Sequence, residues 1–380
     1  MIMEDNAANS VLGHVGDGFA PVRDTFLQNY HAFDERGSAV CVYLDGKPVI
    51  DLVGGWKDVN RQSRWTQDTI VNIWSATKGV VAICFAMAVD AKLASYDDLV
   101  LKYWPEFAVK GKDQITIKVL LSHQAGLAAF DTPATLEDLL AGEPMADRLA
   151  AQAPLWTPGS ASGYHMMTYG NIVSALFRRI EGRSIKQFIQ EEFAEKRGLN
   201  IHIGLPSRFD ECAAEIALSD SIDLSFRDNA SELQEMVFTR PHIDPLVCNE
   251  EIWKDADLPS ANGFSNASAL AKLYAALIDE DAPLVGADTL AHATRPLFEG
   301  EDLILKIHAR WGCGFVLNTD DGLYGPNFGA FGHTGWGGSC GFTDPEAGVA
   351  MSYTPNNMGY KLRNDPRAKA LIDTVYRCLS

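Results

Sequence analysis

Ile73-Trp74-Ser75-Ala76-Thr77-Lys78-Gly79-Val80-Val81-Ala82-Ile83-Cys84-Phe85 is the stretch on which the reading of this chain turns. From Ile73 to Val89, Lys78 is the only charged residue. A lysine surrounded by Val80, Val81, Ile83, Phe85 and Met87 is an expensive choice. An amine inside such a run must be paired or must give up its proton. Residues three apart share a helix face, so the Ser75 hydroxyl and the Lys78 amine can meet. That is the arrangement of an activated serine nucleophile. The spacing alone is weak, because roughly one Ser-x-x-Lys is expected by chance in a chain this long. The competing reading makes Ser75 a helix N-cap and lets Lys78 snorkel to the surface.

Composition narrows the classes. The chain has 380 residues, 47% of them hydrophobic and 22% charged, as in a soluble globular protein with a sizeable core. Its formal net charge of −18 disfavours a nucleic-acid partner. Seven scattered cysteines, with no Cys-x-x-Cys, read as reduced thiols of a cytoplasmic protein. Cys84 and Cys378 sit in apolar surroundings and read as small core residues. Met1 to Gly18 is polar and acidic and carries no secretory signal pattern. No window reaches the length of a membrane span. The nine histidines do not cluster, and no zinc spacing is present. Oligomeric state is not legible.

Working outward from Ser75, helical periodicity covers Phe19 to Phe33, Thr116 to Ser122, Thr135 to Ala151, Met166 to Ile180, Ile185 to Arg197 and Ala267 to Leu277. A final helix runs from Pro366 to Leu379, with Asp365 before the proline. Ala39–Leu44 and Pro48–Val53 flank Asp45-Gly46, a hairpin signal. Trp311 to Leu317, Ser339 to Thr343 and Gly348 to Tyr353 read as strands, and Ile70 to Ile73 leads into the Ser75 helix. Residues 206–259, with Asp220, Asp223, Asp228 and Glu232, read as irregular with short helices. Strand signal thus gathers at both chain ends. One antiparallel sheet flanked by helices is expected from residues 1–85 with 258–380, and a mainly helical inserted domain from 86–257. The fold class is α+β.

Two further stretches complete a pattern. Pro158-Gly159-Ser160-Ala161-Ser162-Gly163-Tyr164 precedes a helix, and Gly332-His333-Thr334-Gly335-Trp336-Gly337-Gly338 lies near the C-terminal strands. With Ser75-x-x-Lys78, these resemble the three elements of the serine β-lactamase and penicillin-binding-protein superfamily. The nearer likeness is to the class C branch, and within it to the family VIII carboxylesterases. Ile117–Leu127 and Ser260-Ala261-Asn262-Gly263 add to it. The resemblance runs from about residue 35 to 355 and is weakest over 206–255, which is suspected of shaping the acyl site. It implies a β-lactamase/transpeptidase-like fold with the active site between its two parts. Ser75 would be the nucleophile, Lys78 its cationic partner, and Tyr164 the acid–base phenol whose phenolate that cation stabilises. The backbone N–H groups of Ser75 and Trp336 would form the oxyanion hole. His333, Thr334, Gly335, Trp336 and His165 would contact substrate. This chemistry asks for no cofactor and no metal.

Rival residues have plainer accounts. Gly337-Gly338-Ser339-Cys340-Gly341 is a literal Gly-x-Ser-x-Gly, but turn and strand signals follow it where a hydrolase elbow needs a helix. Tyr169-Gly170-Asn171 comes late, inside a helix, so Tyr169 reads as packing. His123 reads as a hydrogen-bonded loop histidine. Where β-lactamases carry Ser and Asn after the tyrosine, this chain has His165 and Met166. Where they carry Lys-Thr-Gly it has His333-Thr334-Gly335, so the cation that grips a substrate carboxylate is missing or pH-dependent. A small neutral ester with a short or aromatic acyl group fits best, cleaved through an acyl-enzyme on Ser75. The alternatives are a β-lactam or amide hydrolase, an acyltransferase, and a non-catalytic binding homologue.

Overall fold

The computed structural model describes residues 11–220, 228–359, 361 and 363–380. Its main sheet has nine strands. From one edge these are Leu12–Val15, Lys47–Gly55, Gly37–Leu44, Val349–Pro355, Cys340–Asp344, Phe331–Thr334, Val316–Leu317, His308–Trp311 and Phe298–Glu301, every neighbouring pair antiparallel. The centre joins the two chain ends, with Leu44 opposite Val349 and Ser38 opposite Pro355. The hairpin at Asp45-Gly46 forms as its sequence demands, both residues lying at positive φ (48° and 72°).

Strand alternation sends side chains to two faces, and both are covered. Val40, Val42 and Met351 face a layer containing Val22, Phe26, Leu371 and Val375. These last four come from the helices Ala20–Ala32 and Pro366–Leu379, which pack together. Ala39, Cys41 and Ala350 face the other way, into the core shared with Leu270 and Tyr274 of the helix Ala267–Ala275. Covering both faces is why the central strands read as apolar runs rather than alternating ones. Each large aliphatic or Phe side chain so buried contributes roughly 1.5–3 kcal/mol before entropy is counted. The Ser75 helix, Ala76–Asp90, is buried continuously from Ala76 to Ala86. Its start is held by a small sheet in which Val71–Asn72 pairs with Gly263–Ser265, and that strand in turn with Ile201–Ile203.

Several boundaries differ from the sequence expectation. The helix expected over Thr135–Ala151 is two, Leu136–Leu140 and Glu143–Ala151. Gly142 between them takes φ 74°, and Pro144 opens the second. The run Trp311–Leu317 is not one strand. His308–Trp311 and Val316–Leu317 are antiparallel partners across a turn that the Gly312 N–H closes onto Phe315 O at 2.9 Å. The Ile185 helix stays α-helical only to Ile189 and widens into a π-turn over Gln190–Glu195. Three strands of the main sheet, Leu12–Val15, Phe298–Glu301 and Phe331–Thr334, were not foreseen. Two lie at or near a sheet edge, where polar residues face solvent and apolar alternation is short. Within 206–259 the helix Glu232–Thr239 is opened by a capping box of Ser231 and Gln234. Asp223, and most of the N-terminal segment Met1 to Gly18, fall outside the described residues.

Candidate active site

Ser75 stands where the strand Val71–Asn72 turns into its helix, and the residue before it bears the strain of that turn. Trp74 has φ 47°, a left-handed conformation costing a bulky residue of order 1–3 kcal/mol. Its surroundings impose the conformation. The Trp74 N–H donates to Asn72 Oδ1 at 3.2 Å. Its ring packs between Trp253 (5.4 Å between centroids) and Trp336 (5.2 Å). Thr77 Oγ1 donates to Trp74 O and accepts from the Gly263 N–H at 3.0 Å, so the turn is tied to the neighbouring strand. The Ser75 side chain makes no capping bond to its own helix, which leaves its hydroxyl for the cleft.

Lys78 is fully buried and does not snorkel. Its Nζ lies 3.1 Å from Ser75 Oγ, 2.8 Å from Met166 O and 2.8 Å from Ser260 O. Among the described residues it forms no ion pair with a carboxylate, and burial pushes its pKa well below the usual lysine range. The two carbonyls can only accept, so they claim two N–H bonds. The third partner decides the charge. As an ammonium, Lys78 would donate to Ser75. As a neutral amine, its lone pair would accept the Ser75 hydrogen, which is the arrangement of a general base. Desolvation without a counter-ion favours the amine. The Ser260 hydroxyl, donating to Met167 O at 3.0 Å, fastens the two carbonyl-bearing segments together.

Tyr164 converges on the same point from a segment with no regular structure. Burial raises its pKa, and a hydrogen bond with the Ser75 hydroxyl pulls the other way. Lys78 Nζ sits 4.9 Å from the ring centroid. Burial thus works against the phenolate that the resemblance implied, and a neutral phenol is the form these surroundings favour. The ring stacks on Trp311, with centroids 5.7 Å apart and planes within 9°. The backbone of Tyr164 is held by the buried carboxylate of Asp302, whose Oδ1 accepts the Tyr164 N–H at 3.0 Å.

The loop after strand Phe331–Thr334 closes the site from the sheet side. Gly335 N–H donates to Ser339 O at 2.7 Å, and Ser339 Oγ donates to Ile73 O at 2.7 Å. Ser339 is buried and is a tie between the two halves of the site, in keeping with its reading as a small residue in a crowded sheet. A Cβ at Gly335 would lie 2.2 Å from both Ile73 O and Ser339 Oγ, so only glycine permits the approach. The approach brings Trp336 to the same cleft as Ser75. His333 lines the cleft too. Its Nδ1 is 2.7 Å from Thr334 O, and burial, then the charge field of Lys78, bring its pKa down to about 3. At neutral pH the position of the usual lysine therefore carries no charge.

The cleft in front of Ser75 holds about 890 Å³ of empty space, a volume that includes open solvent at its mouth. Ser75, Tyr164, His333, Thr334, Gly335 and Trp336 line it together. His165 does not. It is buried, its Nδ1 pairs with Gly163 O at 2.7 Å, and its Nε2 accepts the Leu127 N–H at 3.0 Å, so the ring is spent on loop packing. His123 is a loop histidine that accepts the His165 N–H at 3.2 Å, and Tyr169 is buried in its helix, so neither joins the cleft. The far wall is apolar. Val237, Phe238, Pro241 and Ile243 come from the segment least matched by the resemblance, and Leu305 and Ile307 from the turn before strand His308–Trp311. Sequence reading named none of Asp302, Trp311 or the residues of this wall, though it suspected 206–255, the source of Val237, Phe238, Pro241 and Ile243, of shaping the acyl site. Asp302 stands in an acidic run, Glu299-Gly300-Glu301-Asp302, that reads as solvated surface. Among the described residues no three His, Cys, Asp or Glu side chains gather to hold a metal ion, and no helix is long and apolar enough to cross a membrane.

Comparison with known proteins identifies the family. The Beta-lactamase family profile matches residues 25–374. A Mycobacterium tuberculosis protein named Esterase/beta-lactamase LipL is 32% identical over 376 residues, 93% of this chain and 84% of the relative. Among solved structures, a family VIII carboxylesterase superposes with a TM-score of 0.91 at 35% identity, over 97% of this chain and 100% of that one. A penicillin-binding-protein homologue from Caulobacter crescentus does so with a TM-score of 0.91 at 37% identity, over the same shares. The profile match spans nearly the whole chain, so this protein belongs to the Beta-lactamase family.

Proposed function

We propose that this protein is a serine carboxylesterase that cleaves small neutral esters, with short or aromatic acyl groups, through an acyl-enzyme on Ser75. The observation that carries the proposal is a buried lysine with no carboxylate partner among the described residues, 3.1 Å from a cleft-facing serine hydroxyl. In the first half-reaction the Lys78 amine takes the Ser75 proton as Oγ attacks the ester carbonyl. The developing oxyanion is received by the Ser75 and Trp336 N–H groups. Tyr164 donates its proton to the departing alkoxide and is reprotonated from Lys78, so amine and phenol end as they began. In the second half water attacks the acyl-enzyme, its proton passes to the same pair, and Ser75 is restored.

Two features support an ester over a β-lactam. The apolar far wall suits an uncharged acyl group, and neutral His333 offers no cation to a substrate carboxylate. The solved structure of a family VIII carboxylesterase points the same way, while the relative named Esterase/beta-lactamase LipL carries both activities in its name. Thr334, Gly335 and Trp336 are the proposed substrate contacts beside His333. A cytoplasmic setting is supported by seven cysteines without a disulfide. The net charge of −18 speaks against a nucleic-acid partner.

Ser75→Ala should lower turnover of p-nitrophenyl butyrate by roughly a thousandfold or more. A folded variant with unimpaired turnover would overturn the mechanism. Assaying the same ester beside a chromogenic cephalosporin tests the substrate class. A higher kcat/KM on the cephalosporin would move the protein to the lactam hydrolases.

A further inference from the structure

Residues 152–167, which deliver Tyr164, contain no helix and no strand. The N–H groups on either side of Tyr164 are held by the His123 loop, Gly163 by His123 O at 3.1 Å and His165 by His123 Nδ1 at 3.2 Å, which leaves the Tyr164 N–H itself needing an acceptor from elsewhere. The turn after strand Phe298–Glu301 supplies it. Asp302 is fully buried, and its carboxylate gathers four donors from two segments far apart in the chain. Oδ1 accepts the N–H groups of Tyr164 (3.0 Å), Ile304 (2.9 Å) and Leu305 (3.0 Å). Oδ2 accepts the Ser162 hydroxyl at 3.1 Å. The Leu303 N–H donates to Ser162 O at 2.8 Å, and the Asp302 N–H to Ile307 O at 3.0 Å.

We infer that Asp302 is a positioning residue, which locks Tyr164 against Ser75 and joins that lock to the apolar wall of the cleft. The inference rests on the acid–base role proposed for Tyr164. Asp302 touches neither the Ser75 hydroxyl nor the space in front of it, so it acts through the tyrosine. Burying a carboxylate is unfavourable unless its lone pairs are filled, and here all the bonds that fill them run to the Tyr164 segment or to the turn itself. That turn also carries Leu305 and Ile307 into the cleft. Its Ile304 carbonyl accepts from Gln234 Nε2 at 2.8 Å, on the helix that bears Val237 and Phe238. One carboxylate therefore sets both the phenol and the surface against which the acyl group rests. Trp311, stacked on the ring, fixes its rotation, and Asp302 fixes its reach.

Three substitutions test this, each checked for folding by circular dichroism and assayed on p-nitrophenyl acetate, which hardly reaches the far wall. Asp302→Ala removes the acceptor and should lower kcat at least about tenfold, with KM moving less than about threefold, as a small misplacement of an acid–base group does. Asp302→Glu keeps the charge but pushes the carboxylate outward by one methylene, and should lower kcat in the same way. Asp302→Asn keeps an oxygen for the three N–H groups, while the Ser162 hydroxyl can turn to accept from the amide. It should hold kcat within about threefold of the parent. A folded Ala or Glu variant with kcat within about twofold of the parent overturns the inference. So does a folded Asn variant that has lost as much as the deletion is expected to lose, and this arm decides alone if the other two do not fold. Tyr164→Phe is the control. If it keeps full activity, the role of the tyrosine has failed. If it is inactive while the Asp302 variants are not, only the role of Asp302 has.

Discussion

On one side of the cleft the polar side chains of the chemistry are tied to specific partners, while among the described residues the buried ring nitrogens His333 Nε2 and Trp74 Nε1 have none. Lys78 spends itself on two carbonyls and a hydroxyl, Ser339 on Ile73 O, and Asp302 on four donors. On the other side, Val237, Phe238, Pro241, Ile243, Leu305 and Ile307 offer shape and almost no directionality. The two sides answer change differently. Removing a partner from a saturated polar network strands a buried group, and both position and charge state move with it. Exchanging one apolar side chain for another alters volume, which a wall open to solvent absorbs more easily than a closed core. Chemistry is built where geometry is over-determined, and selectivity where it is not.

The largest effect that could break this contrast is at Lys78. Lys78→Met keeps the volume and deletes the base, and should cut kcat for p-nitrophenyl butyrate at least about a hundredfold. It should also destabilise the fold by about 1–3 kcal/mol in urea unfolding, because the Met166 and Ser260 carbonyls lose their donor. A stable, active variant would remove the polar side from the mechanism. A smaller change is expected at His333, whose ring already feels the charge of Lys78. His333→Lys should raise the ratio of cephalosporin to ester kcat/KM by roughly tenfold, since a cation would again face a substrate carboxylate. An unchanged ratio would mean that the cleft excludes the carboxylate by shape rather than by charge.

On the apolar side, Phe238→Ala should raise KM for butyrate esters by roughly three- to tenfold and leave kcat within about twofold. A collapse of kcat would show the wall to be part of the chemistry. The smallest effect is a null one. Burial holds His123 well below the usual imidazole range, His165 at about 4 and His333 at about 3. In the folded protein their ring resonances should stay unshifted from pH 8 to 5. The unfolded chain takes up these protons near pH 6.5, so the contribution of the three rings to stability is whole above that value and falls as pH drops toward their folded pKa values. Titration of any of the three above pH 5 would place it in contact with water and reopen its role.

How much could be read beforehand follows the range of each interaction. The Ser75 helix, the Asp45-Gly46 hairpin and the C-terminal helix behind Asp365 were legible because periodicity, turn residues and caps act within a few positions. Thr135–Ala151 was misjudged at Gly142, where one left-handed residue outweighs a continuous helical pattern. His165 sits beside Tyr164 in the chain and was expected to share its cleft. Leu127 and Gly163 claim both its ring nitrogens, and nothing in local spacing announces such a claim. Asp302 was invisible for the opposite reason, being one acid among several in a stretch that looks solvated.

By itself the sequence determined that a hydroxyl and an amine would lie one turn apart on an apolar helix, because helical spacing alone brings them together. It also determined that strands from the two chain ends were available for one sheet, since alternation and turn residues are local. Only the tertiary structure decided that the amine would be buried with no carboxylate partner among the described residues, that the histidine in the lysine's place would be neutral, and that a tyrosine outside any helix or strand would be held by a distant carboxylate. Desolvation and long-range hydrogen bonding depend on what surrounds a group in space, and no window of neighbouring residues contains that information.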